Sequence, residues 1–527
     1  MRFFDEPIDF EPQPGCGSPV WHGRADDGEA LQAFAVAARR ADGRLAALWG
    51  SDERQRRGGF RLHCVFGLGA GHAWLSLDLP AERPAYPDLS GIFPAANRMQ
   101  RATRDLVGLF HEGGPNGGDL RPWLRHGAWP ADWYPLRHDA AESANAGSGF
   151  ANAPSDYDFV PVGGEGAHEV PVGPIHAGTI EPGHFRFSVI GERVLRLEQR
   201  LGYLHKGIER LFIGKSLPEG ARLAGRVSGD STCAYAWAYA AAVEAACGVS
   251  PPPRALGLRV LMLERERIAN HLGDLGALGN DTALAFGFSQ FMRLKEDWLR
   301  LSATLFGHRF MMDRIVPGGT AIDLDAPARA SIAAQCEAVG REVQALRKIY
   351  DEHAGLQDRF LTTGTIDADL ARELSLTGFA ARATGLHLDA RAHRPGYTPP
   401  PPWAALDVRP ASDERGDVAA RAAVRFAELF ESLRLLREVA AGLPGGEVCI
   451  EVAPTPGSRG LGVIEGWRGE VLVGVQMDDE GRLARVHPHD PSWQIWPALE
   501  HAVIRDIVPD FPLINKSFNL AYSGVDL

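Results

Sequence analysis

Four ionisable residues in one stretch have the spacing of a single helical stripe. Glu264, Arg267, His271 and Asp274 lie three, four and three positions apart, which stacks them along one face of an α-helix. Leu261, Ile268, Leu272 and Leu275 supply the adjoining apolar face. Once buried, an acid–base–imidazole–acid row can relay protons or carry conformational coupling. The same row can equally be a structural ion-pair network that holds a helical bundle together. His176, in the Gly/Pro-rich string GPIHAG, is a candidate proton or ligand contact, or else a structural histidine. His487 and His489 resemble a metal pair, but two exposed histidines in a Pro-bounded turn are the expected reading.

The elements that must position these groups belong to a large chain. At 527 residues it is long enough for two or three domains, and an apolar fraction of 45% supports sizeable cores. The formal net charge is −12, with no basic run, so nucleic acid is not an expected partner. The six cysteines are scattered without a C-x-x-C pair, as in a cytosolic protein with reduced, mostly buried thiols. The N-terminus has no basic region followed by an apolar core, so no signal peptide is expected. The most apolar stretch, from Cys233 to Val249, is alanine-rich and interrupted by Glu244. It reads as a helix buried in a large protein rather than as a membrane span. A role at a membrane would therefore need other subunits to bring the chain there.

Residues 1–139 form a first unit. Its segments from Leu31 to Glu53 and from Phe60 to Pro80 read as paired strands, with turn signals at Asp42–Gly43 and Gly69–Gly71. A helix is expected over about Ala95 to Phe110. Residues 140–168 are rich in Gly, Ala and Ser and read as an extended linker. Residues 169–527 form the second unit, with long helices expected from about Arg254, over Ala326–Ile349 and over Arg421–Ala441. A β-hairpin turning at Asp478–Gly481 follows. The fold class is α+β: a small α/β domain, a linker, then a mainly α-helical domain with small β-sheets.

Several strings carry a family resemblance. Gln100-Arg101-Ala102-Thr103-Arg104-Asp105-Leu106, Asp119-Leu120-Arg121 and Pro135-Leu136-Arg137-His138-Asp139 resemble motifs of the C subunit of respiratory complex I, a docking domain. In the second unit, GPIHAG, EPGHFR and Tyr203-Leu204-His205-Lys206-Gly207-Ile208-Glu209-Arg210 resemble the complex I D subunit. They also resemble the large subunit of membrane-bound nickel–iron hydrogenases of the formate-hydrogenlyase type. The stretch RVSGDSTCAYAWAYAAAVE from Arg226, together with NLAYSGVDL from Asn519, matches the hydrogenase strings R-V-C-G-I-C-G-F-A-H-S and D-P-C-Y-S-C-T-D-R. In that family the four cysteines hold nickel, two of them also bridging to iron. Here those positions are Ser228, Ser231, Ala521 and Gly524. Nickel and low-spin iron need soft thiolate donors, so no metal is expected on this chain.

The resemblance implies further candidates. Ser228, Gly229, Ser231, Tyr235 and Arg186 are expected to line a substrate cavity together with Asp230, which has no clear family counterpart. His176, Glu209, Glu264 and His271 are expected in catalytic or relay roles. Gly229 stands where complex I has a quinone-bonding tyrosine, and Tyr235 where the hydrogenase has a histidine. Asp230 can keep the vacated site hydrated or bind a cation there. No cofactor is expected on this chain itself. The implied partners are a small iron–sulfur subunit with a tetranuclear cluster, and antiporter-like membrane subunits, with a quinone as a possible ligand. The implied place is the cytoplasmic side of the inner membrane. Three functions stay open: an oxidoreductase subunit without nickel–iron, a purely structural or coupling subunit, and a hydrogen-evolving hydrogenase.

Overall fold

A computed structural model describes the chain except residues 1, 5–7, 16, 115–116, 127–128, 131, 141–156, 178–179, 394 and 399. Most of the segment read as a linker therefore lies outside the described residues. Its last two, Ala167 and His168, already belong to a strand, Ala167–Val172.

The first unit is built on a five-stranded sheet. Its order is Glu11–Pro12, Val20–Ala25, Gly71–Pro80, Gly59–Leu68 and Arg44–Glu53. Within this sheet the Val20–Ala25 and Gly71–Pro80 pairing is parallel and the other described pairings are antiparallel. The segment before Arg44 is not a strand but a helix, Gly28–Arg40. Its buried residues Leu31, Phe34, Ala35 and Ala38 recur at helical rather than alternating spacing, and the Asp27 side chain caps it by accepting from Ala30 N at 2.9 Å. The expected second helix runs Ala96–Val107 and ends on Gly108 in the left-handed conformation.

The second unit opens with a three-stranded antiparallel sheet, Ala167–Val172, His184–Ile190 and Arg193–Arg200. Its helical body follows: Thr232–Cys247, Pro253–Asp281, Ala285–Phe306, Ala326–Glu352 and Val418–Gly442. A second antiparallel sheet comprises Arg459–Glu465, Glu470–Met477 and Leu483–His489. The helix Thr232–Cys247 is buried on every side, which explains its run of alanines. The strand Arg459–Glu465 lies directly on its backbone. A Cβ on Gly460 or Gly462 would stand 1.9 Å and 2.0 Å from the carbonyl oxygens of Ala242 and Ala238.

The two units share their cores. Val20, Ala47, Trp49, Val65 and Trp74 of the first sheet pack with Leu461, Val463 and Leu472 of the second unit. At this junction lie His487 and His489, both buried rather than in an exposed turn. They occupy the last strand of the hairpin, and their rings stack into the interface. His487 faces Trp49 at 4.8 Å, and His489 faces Trp493 at 6.0 Å.

Candidate functional site

Three remote pieces of chain converge on one carboxylate. Asp230 lies in the short turn Gly229–Ser231 that leads into the helix Thr232–Cys247. Its side chain accepts from Ser228 Oγ at 2.7 Å and Ser231 Oγ at 3.1 Å. Both terminal nitrogens of Arg468 also bond it, Nη1 at 2.9 Å. This fork-on-carboxylate pairing fixes orientation as well as charge. Arg468 sits in the tight turn between Arg459–Glu465 and Glu470–Met477, stacked 4.0 Å over the Trp467 ring. The Trp467 indole donates to Asp230 O at 3.0 Å and Ser231 Oγ at 3.1 Å. The Arg468 Nε donates to Asn519 O at 2.6 Å, bringing in the C-terminal string. Burial pushes the Asp230 carboxyl up, but the Arg468 charge and the two hydroxyls prevail and hold it at about 2.

The four positions of the hydrogenase cysteines lie in or beside this cluster. Ser228 and Ser231 spend their hydroxyls on Asp230. Ala521 is fixed by its backbone, with N donating to Ser492 Oγ at 3.0 Å and O accepting from Trp496 Nε1 at 3.2 Å. A Cβ on Gly524 would stand 2.6 Å from Asp490 Oδ2, and Asp490 is held there by the Tyr235 hydroxyl at 2.7 Å. The nearby Cys233 thiol contacts Phe310 O at 3.7 Å, and burial drives its pKa well up. Hydroxyls, a guanidinium-bound carboxylate and a filled Cβ position do not fit a nickel–iron centre, which needs several thiolates at one point. Among the described residues no three His, Cys, Asp or Glu side chains are placed to hold a metal ion.

The helix Pro253–Asp281 carries the predicted stripe into the interior. Glu264 is bonded by Arg391 at 2.9 and 3.0 Å, by Arg267 at 3.3 Å and by the Ser432 hydroxyl at 2.5 Å. His271 Nε2 lies 2.9 Å from Glu428 Oε2. Burial raises the Glu264 carboxyl, but Arg391 and Arg267 outweigh it and hold it below the usual range. Burial likewise lowers the His271 imidazole, despite the opposing Glu428. The last member, Asp274, bonds Arg425 at 3.0 Å and the Asn519 amide at 2.6 Å. Asn519 therefore joins the stripe to Arg468 and so to Asp230.

The remaining candidates divide between this cluster and other parts of the fold. Glu209 makes a buried triad with Arg485 at 2.6 Å and His487 at 2.8 Å, at the junction between the units. Burial opposes its ionisation, but the Arg485 charge and His487 hold it at about 2. His176 Nε2 bonds Gly183 O at 2.8 Å within its own hairpin. Arg186 pairs with Glu169 at 2.8 Å and lies 4.5 Å over the Phe159 ring. Tyr235 is spent on Asp490. Gly229 is exposed, with no atom within 4 Å of where a Cβ would stand, so the cluster opens outward there. Arg468, Asp490, Asn519 and Glu266 escaped sequence reasoning. Glu266 accepts from Cys233 N at 2.6 Å and Ala234 N at 3.1 Å at the start of their helix. Burial raises its carboxyl to about 8.

A small α/β unit fused to a helical body, with its candidate site closed by a distant C-terminal string, defines a large subunit of the complex I and hydrogenase class. Residues 277–457 match the family model of the respiratory-chain NADH dehydrogenase 49 Kd subunit, and residues 26–145 that of the 30 Kd subunit. Formate hydrogenlyase subunit 5 of Escherichia coli (strain K12) is 31% identical over 492 residues, covering 92% of this chain and 85% of that protein. The chain belongs to this family of fused 30 and 49 Kd-type subunits. The C/D subunit of the NADH-quinone oxidoreductase of Phocaeicola vulgatus is 26% identical, over 76% of this chain and 78% of that protein. A chain from the structure of the membrane-bound sulfane sulfur reductase, an archaeal respiratory membrane complex, shares the fold. It has a TM-score of 0.64 and 23% identity, over 69% of this chain and 99% of that one. Among the described residues no helix is long and apolar enough to cross a membrane.

Proposed function

We propose that the chain is the large subunit of a membrane-associated, complex I-like oxidoreductase that works without a nickel–iron centre. Electrons pass through a neighbouring iron–sulfur subunit to a quinone-like or other redox partner, and the complex couples that transfer to ion translocation. The reading places the chain at the cytoplasmic side of the membrane, as a peripheral subunit. The observation that carries it is the Asp230–Arg468 pair, which takes up the Ser228 and Ser231 hydroxyls where the hydrogenases have thiolates.

The residues divide the work by position. Arg468 offers a fixed cation and Asp230 a fixed anion at the outward-opening Gly229, a polar pair able to orient a redox headgroup. Glu266, its carboxyl raised by burial to about 8, offers a proton-holding group behind the same turn. Asn519 ties this pair to Asp274 and Arg425, so a change of charge on a headgroup bound beside Arg468 reaches the buried stripe through hydrogen-bonded groups.

The test is redox-driven quinone reduction and ion uptake by the intact complex in membrane vesicles. Asp230→Asn should lower both by about 100-fold, as expected when a positioning group is displaced, while the complex still assembles. Unchanged turnover in Asp230→Asn and His271→Gln would select a coupling role with no chemistry of its own.

A further inference from the structure

Eight ionisable side chains close into one cluster around the stripe. Four are carboxylates: Glu264, Asp389, Glu428 and Glu465. Three are permanent cations, Arg267, Arg382 and Arg391, and the eighth is His271. Every one is at most 3% exposed. Arg391 joins Glu264 to Asp389, at 2.9 and 2.7 Å. Arg382 joins Glu428 to Glu465, at 2.7 and 2.9 Å, and reaches Asp389 at 3.7 Å. Arg267 spans Glu264 and Glu428.

Four carboxylates face three guanidinium groups, so full ionisation with a neutral imidazole leaves one uncompensated negative charge in a dry interior. Such a charge is expensive, and binding a proton removes it. His271 is a poor holder. Its Nε2 is satisfied by Glu428, but its buried Nδ1 has no hydrogen-bond partner, and a second N–H there would point at nothing. Among the carboxylates, Glu264, Asp389 and Glu428 each meet two of these cations. Glu465 meets one, Arg382, and adds only a long contact from Ala390 N at 3.3 Å. The guanidinium of Arg267 is turned to the Glu465 backbone carbonyl instead, at 2.7 Å. Across the sheet Glu465 is register partner to Glu470, a like charge.

From this geometry we propose that Glu465 is a proton-binding residue of the buried stripe, holding one exchangeable proton around neutral pH. Burial first, with Asp389 and Glu470 adding to it against Arg382 and Arg391, moves its carboxyl up to about 7. Glu470 carries the consequence into the first unit, where His72 lies 3.1 Å from it and Arg44 pairs with it. Deprotonating Glu465 places a second negative charge beside that inter-unit contact. The proton is a property of this chain whatever the complex reacts with, so this inference and the proposed function can fail separately.

Infrared spectroscopy of the full chain with carbon-13-labelled glutamate, titrated from about pH 5 to pH 9, tests it. The wild type should show a carboxylic-acid C=O band that is half lost near pH 7. E465Q should lack that component while keeping the one from Glu266, which E266Q removes instead. A component half lost near pH 7 that survives in the E465Q/E266Q double variant would overturn the proposal. So would a wild type with no component titrating there, which decides the matter even if E465Q fails to fold. Stability gives a second readout. A native pKa above the ordinary carboxylate value means that the folded chain binds the proton more tightly. The stabilisation is complete below the ordinary value and is lost as pH rises through about 7. The melting temperature of E465Q should therefore rise relative to wild type between those limits, and a pH-independent difference would contradict the assignment.

Discussion

Arg382→Met should lower the unfolding free energy by about 3–5 kcal/mol, because removing one partner of a buried ion pair leaves the others uncompensated. Arg382 is fully buried and meets Glu428, Glu465 and Asp389 at once, besides donating to Leu388 O at 2.6 Å. Methionine replaces its volume and none of its charge. The loss is large against a typical total of about 5–15 kcal/mol, so the urea midpoint should fall steeply. Adding Glu428→Gln to the same chain should recover part of the loss, since it removes one stranded carboxylate. A midpoint within experimental error of wild type would mean that water reaches these groups and the cluster is not the dry network described.

Gly378→Ala is the second large effect, and it connects stability to the site. Gly378 has φ of +66°, and a Cβ there would stand 1.8 Å from the carbonyl oxygen of Arg468 and 2.5 Å from Gly469 Cα. Alanine must therefore displace the turn that carries Arg468, adding backbone strain to an overlap that no rotamer relieves. The expected cost is about 3 kcal/mol or more, with turnover of the assembled complex down by about 100-fold as Arg468 leaves Asp230. Gly229→Ala is the control. Its Cβ meets nothing within 4 Å, so stability should change by no more than about 0.5 kcal/mol. Thermal melts of the two variants, followed by turnover, check the pair. Equal melting temperatures would contradict the placement of Gly378 against the turn.

The stripe on Pro253–Asp281 was legible in the sequence because helical periodicity needs only local spacing. Its partners were not: Arg391, Arg382 and Glu428 come from a loop, a five-residue helix and a distant long helix, and no local pattern pairs them. The same limit applies at the site. The sequence shows Ser228, Ser231, Ala521 and Gly524 where the resembling hydrogenase strings have cysteine, whereas Arg468 is one arginine in a hairpin turn until folding brings it to Asp230. The misread segment Leu31–Arg40 shows a different failure. Alternating and helical spacing overlap in LQAFAVAARR, and the Asp27 cap that decides between them lies upstream. His487 and His489 mislead for a third reason. Their prolines suggest an exposed turn, but Trp49 and Glu209, hundreds of residues earlier, bury the strand that holds them.

The measurement that bears most directly on the central claim is the nickel and iron content of the intact purified complex. The expected result is iron, held by the partner iron–sulfur subunit, and no nickel above background. Nickel approaching one per chain would contradict it, because Asp230, Arg468 and Asp490 would then have to vacate the positions that define the site.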